Sequence, residues 1–423
     1  MKKLYILPLL FTILFYQYSF GQKKLSLQPE IQNYRVPGFD GLNVFEDPKD
    51  NDIEFEGLKV RLGGDFAMQF QGINHSTGSP SDTLVNLGTD FNLPTANLNI
   101  DVQLADGVRM HLRTYLSSRH HSESWVKGGH ISIDKLDFIQ EDFLSGLMEI
   151  VTVKIGLDEI NYGDVHFRRS DNARAIYNPF VGNYLMDAFA TEAFGEVYLR
   201  KNGWLGMLAI SNGKLNQNVV TAPNADNKIS FYGKLGYDND LSDDLRLRLT
   251  GSWYINNGDT RKYTYAGDRA GSRYYHVMET ESSGGGDFSG RFNPGFNQLT
   301  SFQINPFVKF KGLEFFGIFE SASDGSDADG SYTQLGAELL YRFGSWEQLY
   351  VGGRYNGVSG NDTENGPDKK ISRVNIGGGW FLTKNIVAKL EYVNQSYSGD
   401  GWNGSLFQDG EFDGLMIEAV IGF

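Results

Sequence analysis

The sequence predicts an all-β protein, a closed antiparallel transmembrane β-barrel of about sixteen strands with long extracellular loops. Three observations support this prediction. Apolar and polar residues alternate with a period of two along many short segments. Tight turns and longer polar loops separate these segments in regular succession. The chain also contains 51 Gly, 30 Phe and 22 Tyr among 423 residues, and strand-forming aromatics with turn residues between them are typical of a barrel.

The chain begins with the pattern of a secretory signal. Lys2 and Lys3 precede an apolar run, which predicts a signal peptide over residues 1–21 with cleavage before Gln22. A membrane anchor is the alternative, but the run is interrupted by polar residues and is shorter than the roughly 20 residues that a spanning helix needs. No later apolar stretch reaches that length. If the mature chain spans a membrane, it must therefore do so with strands.

A polar segment separates the signal from the first strand. Residues 22–57 contain three prolines and end in the acidic stretch 46–56, so we expect a mostly irregular periplasmic segment. The alternation begins at Leu58 and continues to the end of the chain. The predicted domains are therefore the signal peptide, this segment, and a barrel over 58–423.

The connections between alternating segments fall into two classes. Ala105-Asp106-Gly107 is a strong tight-turn signal between two alternating runs. Other tight connections lie near 201–203, 239–243, 311–312, 343–345 and 383–385. Longer polar loops lie near 72–92, 119–126, 158–190, 213–226, 257–297, 323–330, 359–368 and 399–410. Short turns at the periplasmic end and long loops at the other are the sidedness of outer-membrane barrels.

The final strand has one apolar face. Leu415, Ile417, Ala419, Ile421 and Phe423 alternate with the residues of the opposite face. This strand, ending in Phe423, resembles the insertion signal of bacterial outer-membrane barrels. The resemblance implies that the barrel-insertion machinery and outer-membrane lipid are partners, and that the protein lies in the bacterial outer membrane.

The inner face of the alternation carries many ionisable residues. The wall positions assigned to the lumen include more cations than anions, although the whole chain has a formal charge of −14. The cations singled out are Arg109, Arg113, Arg246, Arg248, Arg373 and Lys389. Because unpaired buried charges cost several kcal/mol each, these residues predict a wet lumen. A basic lumen favours anions by electrostatic focusing.

Together these features resemble the bacterial porins. The stretch from Val153 to Leu157, Val-Lys-Ile-Gly-Leu, opens the long third loop and is similar to the phosphate-selective porin O and P family in particular. The resemblance implies a third loop that folds inward and narrows the pore, and a homotrimer. The matching segment is Asp158 to Ala190. Phosphate selectivity itself does not follow from the sequence.

The third loop contains the candidate constriction. Arg168, Arg169 and Arg174 are its cations, and Asp164 and Asp171 are among its carboxylates. Two hypotheses stay open. The arginines face the lumen and set a local field, or they pair with acidic residues inside the loop.

These observations leave three classes of function. The leading one is a non-enzymatic channel for passive diffusion of small hydrophilic solutes or ions, with a possible preference for anions or phosphate. The second is a structural or secretion-associated barrel with a plugged lumen. The third is a barrel hydrolase, for which His130 and Ser132 on one strand are a weak signal. No metal or cofactor site is indicated, and the acidic charge argues against nucleic acid as a partner.

Overall fold

A computed structural model shows a barrel of antiparallel strands. It describes residues 28–49, 53–92, 94–117, 124–171, 174–215, 217, 219, 225–266, 274–281 and 290–423. The predicted signal peptide 1–21 and most of the loop 119–126 lie outside these ranges. The strands are β1 (Lys59–Ser76), β2 (Asp90–Phe91), β3 (Thr95–Ala105), β4 (Val108–Ser117), β5 (Ser124–Ile133), β6 (Val151–Glu159), β7 (Thr191–Lys201), β8 (Trp204–Ser211), β9 (Ser230–Ser242), β10 (Leu245–Asn256), β11 (Leu299–Phe310), β12 (Leu313–Ser323), β13 (Asp329–Phe343), β14 (Leu349–Thr363), β15 (Lys369–Thr383), β16 (Ile386–Ser398) and β17 (Glu411–Gly422).

The sheet closes on itself. Each long strand pairs with its neighbour in sequence, and β1 pairs with both β3 and β17. At the closure Phe66 lies opposite Ile421, and Val60 lies opposite Val102 on the other side of β1. The two-residue strand β2 adds only a short pairing to β1. Within the described residues the barrel therefore has sixteen strands, and the predicted fold class is confirmed.

The two ends of the barrel differ as predicted. At the periplasmic end most connections have two to five residues, as between Lys201 and Trp204. The sequence did not predict the one long periplasmic connection, residues 134–150, which contains the short helix α1 (Ser145–Met148). Its apolar residues do not alternate, so it carries no strand signal and no tight-turn signal.

The alternation in sequence becomes an alternation in burial. In β17, Leu415, Ile417 and Ile421 are 53%, 49% and 47% exposed, whereas Met416 and Val420 are 0% exposed. An outward apolar face on successive strands is the lipid-facing surface of a transmembrane barrel. Among the described residues, no helix has the length and apolar character needed to cross a bilayer.

Three segments fill much of the barrel interior. They are residues 28–49, the loop 160–190 between β6 and β7, and the described part of the loop 257–298 between β10 and β11. The sequence places residues 22–57 ahead of the barrel in the periplasm. The structure packs 28–49 against inward-facing wall residues, with Phe45 only 3% exposed. The segment is irregular, as expected, apart from a 3₁₀ turn at Gly38–Gly41.

Candidate functional site

Wall side chains hold the third loop by its backbone. A loop inside a barrel cannot satisfy its N–H and C=O groups by pairing with a strand, so other partners must supply the hydrogen bonds. Glu391 accepts from the Val181 N–H at 2.7 Å, and Asn356 accepts from the Leu185 N–H at 2.6 Å. Lys389 donates to the Ala175 carbonyl at 2.6 Å. Further bonds of this kind come from Asn305, Gln334, Tyr350, Arg354 and Arg373.

The same wall side chains pair with one another. Lys389 lies 2.6 Å from Glu418, and Arg342 lies 2.8 Å from Glu314. All four are nearly inaccessible to solvent. Buried charges are tolerated when each has an opposite charge and further hydrogen bonds. These four charges are therefore paired and shielded from water, whereas Arg246 and Lys309 on the same part of the wall are partly exposed.

A glycine allows the loop to approach the wall closely. Gly163 has a φ of +68°, and a Cβ atom there would lie 1.9 Å from the side-chain oxygen of Gln303 on β11. Only glycine adopts this conformation without strain and without a clash. Its carbonyl accepts a hydrogen bond from Lys234 at 2.8 Å. The turn at Gly163 thus positions the next residue, Asp164, against the wall.

Asp164 is the centre of a buried charge cluster. Its carboxylate lies 2.9 Å from the Lys234 ammonium and 2.8 Å from the Arg248 guanidinium. Glu46, from the N-terminal segment, lies 3.2 Å from Lys234 and 2.9 Å from Arg248. Burial alone would raise the pKa of Glu46, but Arg248 and Lys234 together hold it well below its ordinary value. The cluster links the wall, the third loop and the N-terminal segment.

The predicted constriction arginines are all paired, and Arg168 and Arg169 are also buried. Arg169 lies 2.6 Å from Asp187 within the loop, and Arg174 contacts Glu159 at the end of β6. Arg168 lies 2.6 Å from Glu338 on β13. Asp171, the other predicted carboxylate, contacts Lys127 on β5. Arg169 thus pairs with an acidic residue inside the loop, as the second hypothesis predicts. Arg168 instead pairs with a residue of the barrel wall. A role in selectivity stays a prediction for these residues.

The N-terminal segment crosses the barrel interior near its periplasmic end. Gln32 accepts from the Gly107 N–H at 2.9 Å, and Tyr34 donates to Asp101 at 3.0 Å. Lys49 lies 3.0 Å from Asp134. Phe45 packs edge-on against Phe167 and Phe307. The segment is thus fixed at several points along its length, to β3, to the β3–β4 turn, and to the third loop.

Apolar clusters fix these inner segments against one side of the barrel. One cluster joins Ile176, Tyr177 and Phe180 of the third loop to wall residues of β1 and β13 to β17, with Phe39 and Leu42 packed on it. A second joins Phe45, Val165 and Phe167 to Phe307 and Phe316. These clusters pack the third loop and the N-terminal segment against this part of the wall. A cavity of about 520 Å³ remains between the N-terminal segment and the short-turn end of β10 to β13, lined by Asn43, Arg246, Glu314 and Arg342 among others.

A cavity of about 150 Å³ lies on the opposite side, against β3 to β7. Its wall side chains are Asp101, Arg109, His111, Arg113, His130, Lys154 and Arg200, among others. Residues of the N-terminal segment and the third loop form its other side, including Tyr34, Arg35, Asp47, Glu159 and Arg174. The rings of His111 and His130 lie 5.2 Å apart, and their Nδ1 atoms contact Asp101 and Asp158 at 2.6 and 2.8 Å.

Several cationic groups of this cavity have spare hydrogen-bonding capacity. Buried nitrogens without a hydrogen-bond partner occur on Arg35, Arg109, His111, Arg113 and Arg200. Lys154, between them, has no carboxylate oxygen within 4 Å among the described residues; its ammonium lies 5.7 Å from the Phe194 ring centroid. Buried polar groups normally find partners. The cavity therefore offers donors to an anionic or hydrogen-bonding solute.

The predicted wall cations separate into two groups. Arg109 and Arg113 line the cavity. Arg246, Arg248, Arg373 and Lys389 lie on the packed side, where Arg373 donates to Gln395 at 2.6 Å. The sequence did not single out His111, Lys154 or Arg35 among the candidate pore residues, although the alternation places Lys154 on the inner face. Because His111 lies between Arg109 and Arg113 on the same face of the strand, the alternation could have predicted that it faces the barrel interior. Arg35 carries no such signal, because its segment is irregular.

Phe423 lies at the closure of the barrel. Its backbone N–H donates to Gly64 at 3.0 Å, and its carbonyl accepts from the Gly64 N–H at 2.9 Å. Its side chain is 43% exposed on the lipid-facing side. This position is compatible with the insertion role, which stays a prediction.

Comparison with known proteins identifies the architecture. Neither a protein-family model nor a curated protein sequence matches this chain. An anion-selective porin from Comamonas acidovorans has a TM-score of 0.53 and 11% identity, covering 86% of this chain and 100% of that one. The fold is that of the outer-membrane porins. OprB of Pseudomonas putida has a TM-score of 0.51 and 10% sequence identity, and the match covers 87% of this chain and 94% of the OprB chain.

A third solved structure has a similar fold. A loop-deletion mutant of OmpT, an outer-membrane protein of Vibrio cholerae, has a TM-score of 0.50 and 9% identity, covering 87% of this chain and 100% of that one. At these identities the shared feature is the porin fold, and the phosphate-selective group is not distinguished among the matches. What the barrel transports has to be argued from its own residues.

Proposed function

We propose that this protein is an outer-membrane channel for small hydrophilic solutes, with a preference for anions, and that solutes pass along β3 to β7. The observation that carries the proposal is the cavity lined by Arg109, His111, Arg113 and Lys154, in which Arg109 and Arg113 each keep a buried N–H group without a hydrogen-bond partner. Donors fixed in a confined space favour negative charge more strongly than the same groups in bulk water. The anion-selective porin of Comamonas acidovorans has the same fold, which agrees with the proposal.

The division of the barrel interior supports this path. The third loop and the N-terminal segment are bonded to β10 to β17 through buried ion pairs and apolar clusters. On the β3 to β7 side the inner segments leave a gap. A solute moving through the gap contacts the charges of this wall and also those of the inner segments, among them Arg35, Asp47 and Arg174.

The test is the reversal potential across a planar bilayer under a salt gradient. Lys154→Glu reverses the charge of a cation that lines the cavity, and it should move the reversal potential toward cations. Lys311→Glu is the control, because Lys311 lies in an exposed periplasmic turn 3.5 Å from Asp244. A Lys154→Glu channel with the selectivity of the unmodified protein would contradict a path along this wall.

A second candidate function is a non-conducting barrel that presents its loops to partners. The observation in its favour is that 28–49 and 160–190 are buried inside the barrel. Single-channel recording separates the two candidates. Discrete conductance steps from the full chain support the channel, and a silent bilayer containing correctly folded protein supports the plugged barrel.

A further inference from the structure

The long periplasmic connection, residues 134–150, exposes an unusual number of apolar side chains. Phe138, Ile139, Leu144 and Leu147 are 58%, 60%, 50% and 49% exposed. The other connections at this end have two to five residues and mostly polar sequences. Contiguous exposed apolar side chains on a folded segment mark a surface that contacts something other than water.

The connection is well structured. The Asp134 N–H donates to Gly107 at 2.6 Å, and the Arg200 N–H donates to Ile150 at 2.8 Å, so both of its ends are bonded to neighbouring strands or turns. Successive turns, including α1, are closed by backbone hydrogen bonds such as that from Met148 to Leu144 at 2.9 Å. The apolar side chains are therefore held in place at the rim of the barrel.

The two sides of the connection differ in chemistry. A groove of about 850 Å³ separates it from the N-terminal segment, and Asp137, Asp142 and Glu149 line this groove together with Phe143 and Met148. Phe138, Ile139, Leu144 and Leu147 do not line the groove. Four of the five acidic residues of the connection, Asp134, Asp137, Asp142 and Glu149, line this groove. The four apolar side chains lie outside the groove, at the rim.

The outer side continues the lipid-facing surface. Ile155 on β6, the strand that follows the connection, is 51% exposed. Two strands away, Trp204 is 66% exposed at the start of β8, and its ring packs against Tyr237 at 5.1 Å. Exposed Trp and Tyr at strand ends mark the level of the membrane–water interface in barrels. The carbonyl of Ile150, at the end of the connection, accepts a hydrogen bond from Arg200 on β7, close to the level of Trp204.

We propose that residues 134–150 form an interfacial anchor whose Phe138, Ile139, Leu144 and Leu147 insert into the periplasmic leaflet of the membrane around the barrel. The occupant of this surface is lipid, which accepts apolar side chains without specific partners. The anchor fixes the rim next to the N-terminal segment. This inference rests on the membrane location in the proposed function, but not on conduction.

Spin-label accessibility in vesicles of phosphatidylethanolamine and phosphatidylglycerol tests the anchor. The chain contains no Cys, so each single substitution to cysteine gives a unique site. Nitroxide labels at Phe138→Cys, Ile139→Cys, Leu144→Cys and Leu147→Cys should collide with oxygen, which concentrates in lipid, as strongly as a label at Ile155→Cys. Labels at Asp142→Cys and Glu149→Cys, in the groove, should instead collide with a water-soluble nickel chelate.

Three results would overturn the anchor. Nickel access at the four apolar positions equal to that at Asp142→Cys would mean that they face water. Shielding from both reagents together with spin–spin broadening would mean that a second copy covers them. Absence of oxygen access at Ile155→Cys would remove the membrane location and the anchor with it. Loss of conductance alone would affect only the channel proposal, since the accessibility measurement does not depend on it.

Discussion

At the scale of single residues, the inward-facing charged side chains have two different roles. On β10 to β17 they form buried pairs and bond the loop backbone, as Lys389 does with Glu418 and the Ala175 carbonyl. On β3 to β7 they also form pairs, as Arg109 does with Asp134 and Arg113 with Asp158, but these two arginines line a cavity and each keeps a buried N–H group without a partner. The residue type is the same in both places. Its role depends on whether an inner segment packs against it.

Loss of one partner from a buried pair should destabilise the barrel strongly. Lys389→Met leaves the Glu418 carboxylate without its cation, which typically costs about 3–5 kcal/mol. Lys311→Met breaks an exposed contact with Asp244 and should cost less than about 1 kcal/mol. Urea unfolding in lipid vesicles, followed by the heat-dependent shift in gel mobility, measures the difference. Equal midpoints for the two variants would mean that the Lys389 pair contributes little.

His166 should make the stability of the third loop depend on pH. Burial lowers the pKa of this loop histidine to about 4, and its contact with Glu159 offsets the effect only in part. Between the ordinary value of about 6.5 and pH 4, the unfolded chain binds a proton that the folded chain does not. Stability is therefore full above pH 6.5 and falls as the pH decreases toward 4, by on the order of 3 kcal/mol.

The matched variant for this effect is His166→Gln, which keeps a polar side chain but cannot titrate. Its unfolding midpoint should vary less between pH 7 and pH 4.5 than that of the unmodified protein. A pH dependence that is unchanged in His166→Gln would assign the effect to other groups.

At the scale of elements, the N-terminal segment 28–49 occupies the barrel as a separate piece of chain. It is attached through Glu46 to Arg248 and Lys234, and through Asp47 to Arg109 at 3.5 Å. Asp164 also pairs with Arg248 and Lys234. Asp164 would thus remain as a partner of Arg248 and Lys234 if the segment moved.

Weakening this attachment should widen the path. The double variant Glu46→Gln, Asp47→Asn lacks both carboxylates, and its single-channel conductance should be higher than that of the unmodified protein. A variant lacking residues 28–49 should show a several-fold higher conductance. Asp40→Asn is the control on the same segment, because Asp40 forms an exposed pair with Lys384 at 2.8 Å. Conductance that does not change in the deletion variant would show that the segment does not obstruct the path.

At the scale of the whole molecule, the barrel and its inward-folded third loop could be predicted, whereas the N-terminal segment inside the barrel could not. Strand number, closure and sidedness follow from local alternation and turn residues, which the sequence displays directly. The position of 28–49 inside the barrel depends on contacts such as that between Asn43 and Glu314, at 2.8 Å, which are distant in sequence. No periodicity encodes such contacts. The connection 134–150 was missed for the same reason.

The most direct test of a solute path along β3 to β7 is chemical block of a single cysteine during channel recording. Lys154→Cys places a thiol in the cavity, and Ile155→Cys places one on the lipid-facing side of the same strand. A negatively charged methanethiosulfonate reagent added to open channels should lower the conductance of Lys154→Cys and make it less anion-selective, while leaving Ile155→Cys unchanged. Full conductance and unchanged selectivity in reagent-modified Lys154→Cys would contradict the path.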